Sequence, residues 1–309
     1  MNWGVQRQKL HLREFDPQAV EEIIRGAALE QHVLINAPCD LKHERWDADW
    51  ISVDLGRYSF PVRVLGQFPK NRIVFGHTRR LSEPSWVNGF EFGTADFQFY
   101  PRGTELNYRA GCGAEFIAVT FPENSLQSAA VETLGRELDL PRHVVNLRGP
   151  AALSREFNRL VTRSMRPEVD AAALSLPILR LIVEIVASQD PEMLLRSIRR
   201  HRNRDQIVKR IDYHIRSQVR RPFDLGALSK AVGLNPRSVQ EYWKEALGVT
   251  PGYWARCLAL HRARTLIREG SKVKTAALDC GFHHQGRFSD HYRGLFGELP
   301  SRTLRNAIK

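Results

Sequence analysis

The chain is poor in cysteine. Its four cysteines, Cys39, Cys112, Cys257 and Cys280, form no Cys-x-x-Cys pair. They read as reduced thiols, which excludes a disulfide scaffold and fits a reducing compartment. Long apolar runs are also missing. The longest, 174–187, is shorter than the roughly 20 residues a membrane helix needs and is broken by Arg180 and Glu184. Residues 1–17 are too polar for a secretory leader. A cytoplasmic protein with no membrane partner is expected. Acidic residues are scarce in one region: residues 196–309 hold 9 Asp/Glu against 24 Lys/Arg, whereas residues 1–195 hold 25 against 22. The net charge of +12 therefore sits in the last third. A basic module on a near-neutral partner is the electrostatic footprint of a polyanion binder.

Residues from about 30 to 121 read mainly as strands. Ile51, Val53 and Leu55 alternate with polar residues, as do Val62 and Val64, Ile73 and Phe75, and Phe97 and Phe99. Turn signals at Pro69 and Asn71, Asn88-Gly89, Pro101 and Gly103, and Gly111 and Gly113 separate them. Many short alternating strands predict a small barrel or sandwich. After Pro122 the apolar spacing becomes helical over 125–138, 151–164 and 177–188. The last of these is apolar on most faces and needs cover on more than one side, either inside its own domain or from a second subunit. The stretch 188–205, with Asp190-Pro191 and the basic run Arg196, Arg199, Arg200, Arg202 and Arg204, reads as a connection.

The last third contains a quasi-repeat. Val239, Trp243, Leu247-Gly248 and Pro251 recur 49 residues later as Phe288, Tyr292, Phe296-Gly297 and Pro300. Upstream, Leu225, Leu228 and Val232-Gly233 match Val273, Ala276 and Cys280-Gly281 at an offset of 48, so the second copy has one extra turn residue. In the first copy Asp224 caps a helix to about Val232, Gly233 turns the chain, and Asn235-Pro236 restarts it as cap and first helical residue. A short helix, a glycine turn and a longer amphipathic helix make a helix-turn-helix pattern. The helical stretch 252–269 between the copies would be a strut about 25 Å long, suited to holding two recognition helices about one DNA turn apart.

The residues off the apolar stripe are the candidate DNA contacts. They are Arg237, Ser238, Gln240, Glu241 and Lys244 in the first unit, and His283, His284, Gln285, Arg287, Asp290 and Arg293 in the second. Arg pairs with guanine O6/N7, Gln with adenine N6/N7, and Glu or Asp accepts from cytosine N4. Arg237 and Arg287, early in their helices, suit base contact. Lys244 and Arg293, deeper in, suit phosphate. Glu241 and Asp290 equally suit an ordinary solvated helix face.

The run from Ala277 through Gly281-Phe282, Arg287-Phe288-Ser289 and Phe296-Gly297 to Pro300-Ser301, with Leu228, Gly233, Val239, Trp243 and Leu247-Gly248 in the first unit, resembles the AraC/XylS family of bacterial regulators over about 205–305. Ala259 departs from the Arg frequent there in the family, and the adjacent His283 and His284 from small or acidic residues, suggesting an operator preference of its own. The resemblance implies an α+β protein, with a cupin-like β-barrel and helices for effector sensing and dimerisation at 1–190, a basic linker at 191–205 and an all-α double helix-turn-helix domain at 206–309. The turn from Tyr100 to Glu105 resembles a barrel turn of such sensing domains. The implied function is a regulator, more an activator than a repressor, that binds double-stranded promoter DNA as a homodimer, responds to a small-molecule effector and meets RNA polymerase. The match around Arg287 and Phe296 resembles regulators of amine and aromatic catabolism, without identifying the effector. Two other readings stand beside it: a cupin-type metal enzyme fused to a DNA-binding tail, and a non-sensing architectural DNA binder. The first needs clustered histidines, but His32, His43 and His77 lie far apart with no His-x-His. A related alkyl-transfer repair protein would need an activated cysteine, and no cysteine here has a supporting local motif. No enzyme activity, cofactor or metal is therefore expected. The 195 residues before the basic third weigh against the second reading.

Overall fold

A computed structural model describes residues 5–94 and 96–307. The alternation in the first half resolves into twelve strands: β1 (Gln6–Leu12), β2 (Ala28–Val33), β3 (Leu41–Asp47), β4 (Ser52–Tyr58), β5 (Val62–Gln67), β6 (Ile73–Arg80), β7 (Ser85–Val87), β8 (Phe90–Phe92), β9 (Asp96–Tyr100), β10 (Glu105–Ala110), β11 (Glu115–Phe121) and β12 (Val145–Arg148). They form two antiparallel sheets, a seven-stranded one ordered β1-β3-β4-β11-β6-β9-β12 and a five-stranded one ordered β2-β5-β10-β7-β8. The pairing closes no single barrel among the described residues; of the two sequence-based alternatives it is the sandwich. The turn after Tyr100, tied by Thr104 N–H to the Pro101 carbonyl with Gly103 in the left-handed region, carries the chain from one sheet to the other.

Three helices, α1 (Glu123–Leu134), α2 (Ala151–Ser164) and α3 (Ser175–Ala187), cover the outer face of the larger sheet. Period-two alternation sorts the strand residues. Phe75, Phe97, Phe99, Val119 and Phe121 join Phe157, Ile178, Ile182 and Ile185 of the helices, while Val74, Tyr100 and Ala118 face the smaller sheet. The apolar α3 is thus covered inside its own chain by α1, α2 and the sheet, and its burial does not call for a second subunit.

The expected connection at 191–205 is instead the first half of one helix, α4 (Pro191–Ser217). Asp190 accepts hydrogen bonds from the Glu192 and Met193 amides, and Pro191 sits at the first helical position, so the dipeptide starts a helix rather than a loop. Arg204 of the basic run pairs with Glu245; the side chains of Arg196, Arg199, Arg200 and Arg202 lie outside the described set. Six helices follow: α5 (Leu225–Val232), α6 (Pro236–Leu247), α7 (Pro251–Arg268), α8 (Val273–Asp279), α9 (Gln285–Phe296) and α10 (Pro300–Ala307). Their core is continuous with the space between the two sheets. No helix among the described residues is long and apolar enough to cross a membrane.

Candidate nucleic-acid interface

The first unit is built from local chemistry. The Asp224 carboxylate accepts from the Gly226 and Ala227 amides and starts α5. Gly233 stops it at φ 68°, where a Cβ would be strained. The Asn235 side chain accepts from the Ser238 amide and, with Pro236, starts α6. Val239, Trp243, Ala246 and Leu247 are buried on one face of α6. Arg237, Gln240, Glu241 and Lys244 are exposed on the other, and Ser238 is half-buried. Arg237 donates to Glu241 at 2.7 Å one turn on, an exposed pair that raises the arginine pKa. DNA would have to exchange that bond for one of its own.

The second unit has the same plan with weaker caps. Lys272 and His284 precede α8 and α9 without a side-chain cap bond. Gly281, at φ 79°, packs so closely on Arg221 that a Cβ would meet its carbonyl carbon at 2.9 Å. Phe288, Tyr292 and Leu295 are buried, while His283, His284, Gln285, Arg287, Asp290 and Arg293 are all exposed. Arg293 is loosely paired with Asp290 at 3.5 Å. Arg287 has no acidic partner among the described residues. The strut between the units is α7, 18 residues and about 27 Å long. A broad groove joins its first turns to the second unit, with Arg221, Arg256, His283, His284, Arg287 and His291 on its walls. Sequence reasoning passed over three of these. His291 is one turn beyond Arg287, so the i, i+4 rule would have found it; Arg256 reaches the groove only through the packing of α7 on α8 and α9, and Arg221, between α4 and α5, through its close contact with Gly281.

A helix-turn-helix domain model matches residues 228–306. Over 131 residues the chain is 33% identical to the XylDLEGF operon transcriptional activator of Pseudomonas putida, covering 40% of this chain and 41% of that one. Over 99 residues it is 31% identical to a probable thc operon regulatory protein of Rhodococcus erythropolis, covering 31% and 30%. Among solved structures, a probable AraC family transcriptional regulator from Rhodopseudomonas palustris is 31% identical, covers 33% of this chain and 97% of its own, and has a TM-score of 0.32. Through this domain the chain belongs to the AraC/XylS family. The match spans about two fifths of the Pseudomonas relative's length.

Sequence reasoning missed how this AraC/XylS-type domain is held. The smaller sheet has two faces, and α4, α6 and α7 dock on the outer one. At its centre Arg63 of β5, 1% exposed, lies 4.0 Å from the Trp254 ring and 5.0 Å from the Trp243 ring. It donates to Asn107 and ion-pairs with Asp212 of α4 at 3.0 Å, and the Trp254 indole N–H donates to the same carboxylate at 2.9 Å. Burial pushes the guanidinium toward its neutral form, and Asp212 opposes this. Exposed pairs Glu30–Arg216 and Glu105–Lys209 flank it. The His261 ring N–H donates to the Val33 carbonyl at 3.0 Å, and its ring meets His32 edge-on at 4.8 Å. Burial, with His32 beside it, lowers the His261 pKa to about 3. Ala259, where the family often carries Arg, is buried in α7. Burial also pushes the Cys257 and Cys280 thiols up, to about 12 and 11, the opposite of an activated nucleophile.

Proposed function

We propose that this protein is a cytoplasmic, sequence-specific transcription regulator, an activator, that binds promoter DNA through α6 and α9 under the control of a small molecule held by the N-terminal domain. The domains are 1–190 for sensing and dimerisation and 206–309 for DNA, joined through the helical 191–205. The carrying observation is the pair of equivalent helices whose apolar stripes are buried while ten of the eleven candidate contact residues stand exposed. The 27 Å strut suits two recognition helices entering successive major grooves. Arg237 and Arg287 are assigned to bases, Lys244 and Arg293 to phosphates, and the remaining seven to the contact surface around them. Two copies on paired half-sites, with RNA polymerase adjacent, complete the reading; no enzymatic activity is part of it.

Control by a ligand is supported by the smaller sheet. Along β2, β5 and β10, Leu29, Val64 and Leu106 border a cavity between the sheets, while on the other face their neighbours Glu30 and Arg63 hold the DNA-binding domain and Asn107 braces Arg63. A ligand that shifts one face displaces the other. It controls DNA binding only insofar as it prefers one arrangement of the domains.

The test starts from genome-wide mapping of bound sites and then measures affinity for a mapped promoter. Arg287→Ala costs about 1–3 kcal/mol and relaxes preference at one base position. Lys244→Ala weakens all sequences alike and lowers the salt slope by about one. Unchanged affinity in both variants rejects the assignment of these helices.

A further inference from the structure

The cavity between the sheets carries information about its occupant. The cavity has a volume of about 60 Å³, less than half of the roughly 150 Å³ apolar cavity known to take benzene. The walls are mainly Ile, Leu, Val and Phe, and no Lys, Arg, Asp or Glu lines it. The basic side chain nearest to a countercharge, His77, turns its ring to the opposite face of its strand. There it stacks on Phe97 at 4.3 Å, its Nδ1–H donates to the Asp96 carbonyl and its Nε2 accepts from Asn158. Burial lowers its pKa, so it stays neutral. On the inner face Arg45 and Asp54 spend their charges on each other at 2.5 Å, and His43 bonds the same carboxylate oxygen.

Two features distinguish this cavity from plain core. Tyr100 borders it at 4% exposure, its hydroxyl buried deeply enough that its pKa is held well above the ordinary value. Phe116, half-buried at a register shift in β11, lays its ring across Gly56 and stacks on Tyr58 at 5.9 Å. A Cβ at position 56 would lie 2.3 Å from that ring, so glycine makes the inward pose of Phe116 available.

We propose that this cavity binds an uncharged, single-ring aromatic molecule with one hydrogen-bonding group: the ligand's ring takes the place of the Phe116 ring against Tyr58, and its polar group meets the Tyr100 hydroxyl. This rests on the reading of the N-terminal domain as a ligand sensor and adds the class of ligand. A carboxylate would enter with no cation to meet it and would lose its hydration uncompensated. An ammonium would meet no carboxylate, and the attraction of the ring faces would offset only part of its lost hydration. A fused bicyclic would exceed the space that one departing phenyl ring adds.

Isothermal titration of the full chain at pH 7 with benzyl alcohol, benzoate and benzylamine decides it. Benzyl alcohol binds at least tenfold more tightly than either charged probe. Tyr100→Phe weakens benzyl alcohol two- to tenfold, the effect of one hydrogen bond, and leaves toluene unchanged. Phe116→Ala, which clears the space in advance, tightens benzyl alcohol several-fold. Equal or tighter binding of benzoate or benzylamine overturns the ligand class while leaving a sensor in place. Binding of none of the three, to the native chain and to Phe116→Ala alike, overturns both. Benzyl alcohol bound as expected, with promoter affinity unmoved, upholds the class and removes the sensor reading.

Discussion

The two helix-turn-helix units occupy equivalent places in the repeat but are tied down differently. Trp243 of the first unit shares its ring with Arg63 of the N-terminal domain. Its counterpart Tyr292 bonds Thr303 of the following α10 at 2.8 Å. The glycines that end α6 and α9 both touch the N-terminal domain, but Gly248 lies under the Trp86 ring and Gly297 beside the exposed Asn36 side chain. The caps differ in the same sense, with side-chain bonds at Asp224 and Asn235 and none at Lys272 and His284. Two copies of one design are thus anchored differently: the first unit packs Trp243 against Arg63 of the smaller sheet, and the second ties Tyr292 to Thr303 of α10.

The sharpest way to break this comparison is Arg63→Met. It strips the countercharge from buried Asp212 and should cost about 3–5 kcal/mol. Denaturant unfolding gives the magnitude. Hydrogen exchange gives the place: faster exchange in α6 and α7 with α9 unmoved upholds the asymmetry, and equal loss in α9 removes it. Next come the paired changes Gly248→Ala and Gly297→Ala. Each forces a Cβ into a left-handed backbone at about 1–2 kcal/mol, and Gly248→Ala must in addition displace a Trp86 ring 2.7 Å away. The first should lower the unfolding midpoint more; equal shifts would mean that the Trp86 contact is slack.

Capping gives a smaller effect. Asn235→Ala should cost about 1 kcal/mol, whereas His284→Ala should cost a few tenths, a difference that thermal unfolding of the two variants resolves. The smallest effect is with pH. His261 is neutral when folded, with a pKa of about 3 beside His32, Glu30 and Arg264, against about 6.5 when unfolded. Between these values the unfolded chain binds more protons, so stability falls as pH falls from 6.5 toward 3. At pH 6 the loss is about 0.8 kcal/mol. His261→Gln should remove this share of the pH slope, and an unchanged slope would place the sensitivity elsewhere.

Local signals were legible where they are short-range. Asp224, Gly233 and Asn235-Pro236 set the bounds of α5 and α6, and α2 falls on the expected 151–164. The connection expected at 191–205 gives way to a helix because Asp190-Pro191 suits a turn and a helix start equally, and only the bonds from the Glu192 and Met193 amides to the Asp190 carboxylate decide for the helix. Trp243 was legible as core, but nothing near it in sequence points to Arg63. The eleven candidate contact residues came from the repeat, while Arg221 and Arg256 became visible only with the groove.

The amino-acid order by itself determined the strand alternation, the caps, the doubled motif and its basic charge, because each depends on residues within a few positions of one another. Only the tertiary structure decided that one sheet serves both a cavity and the DNA-binding domain. That arrangement rests on a buried guanidinium meeting a carboxylate and two indoles from distant segments, an attraction that exists only once water has been excluded from between them.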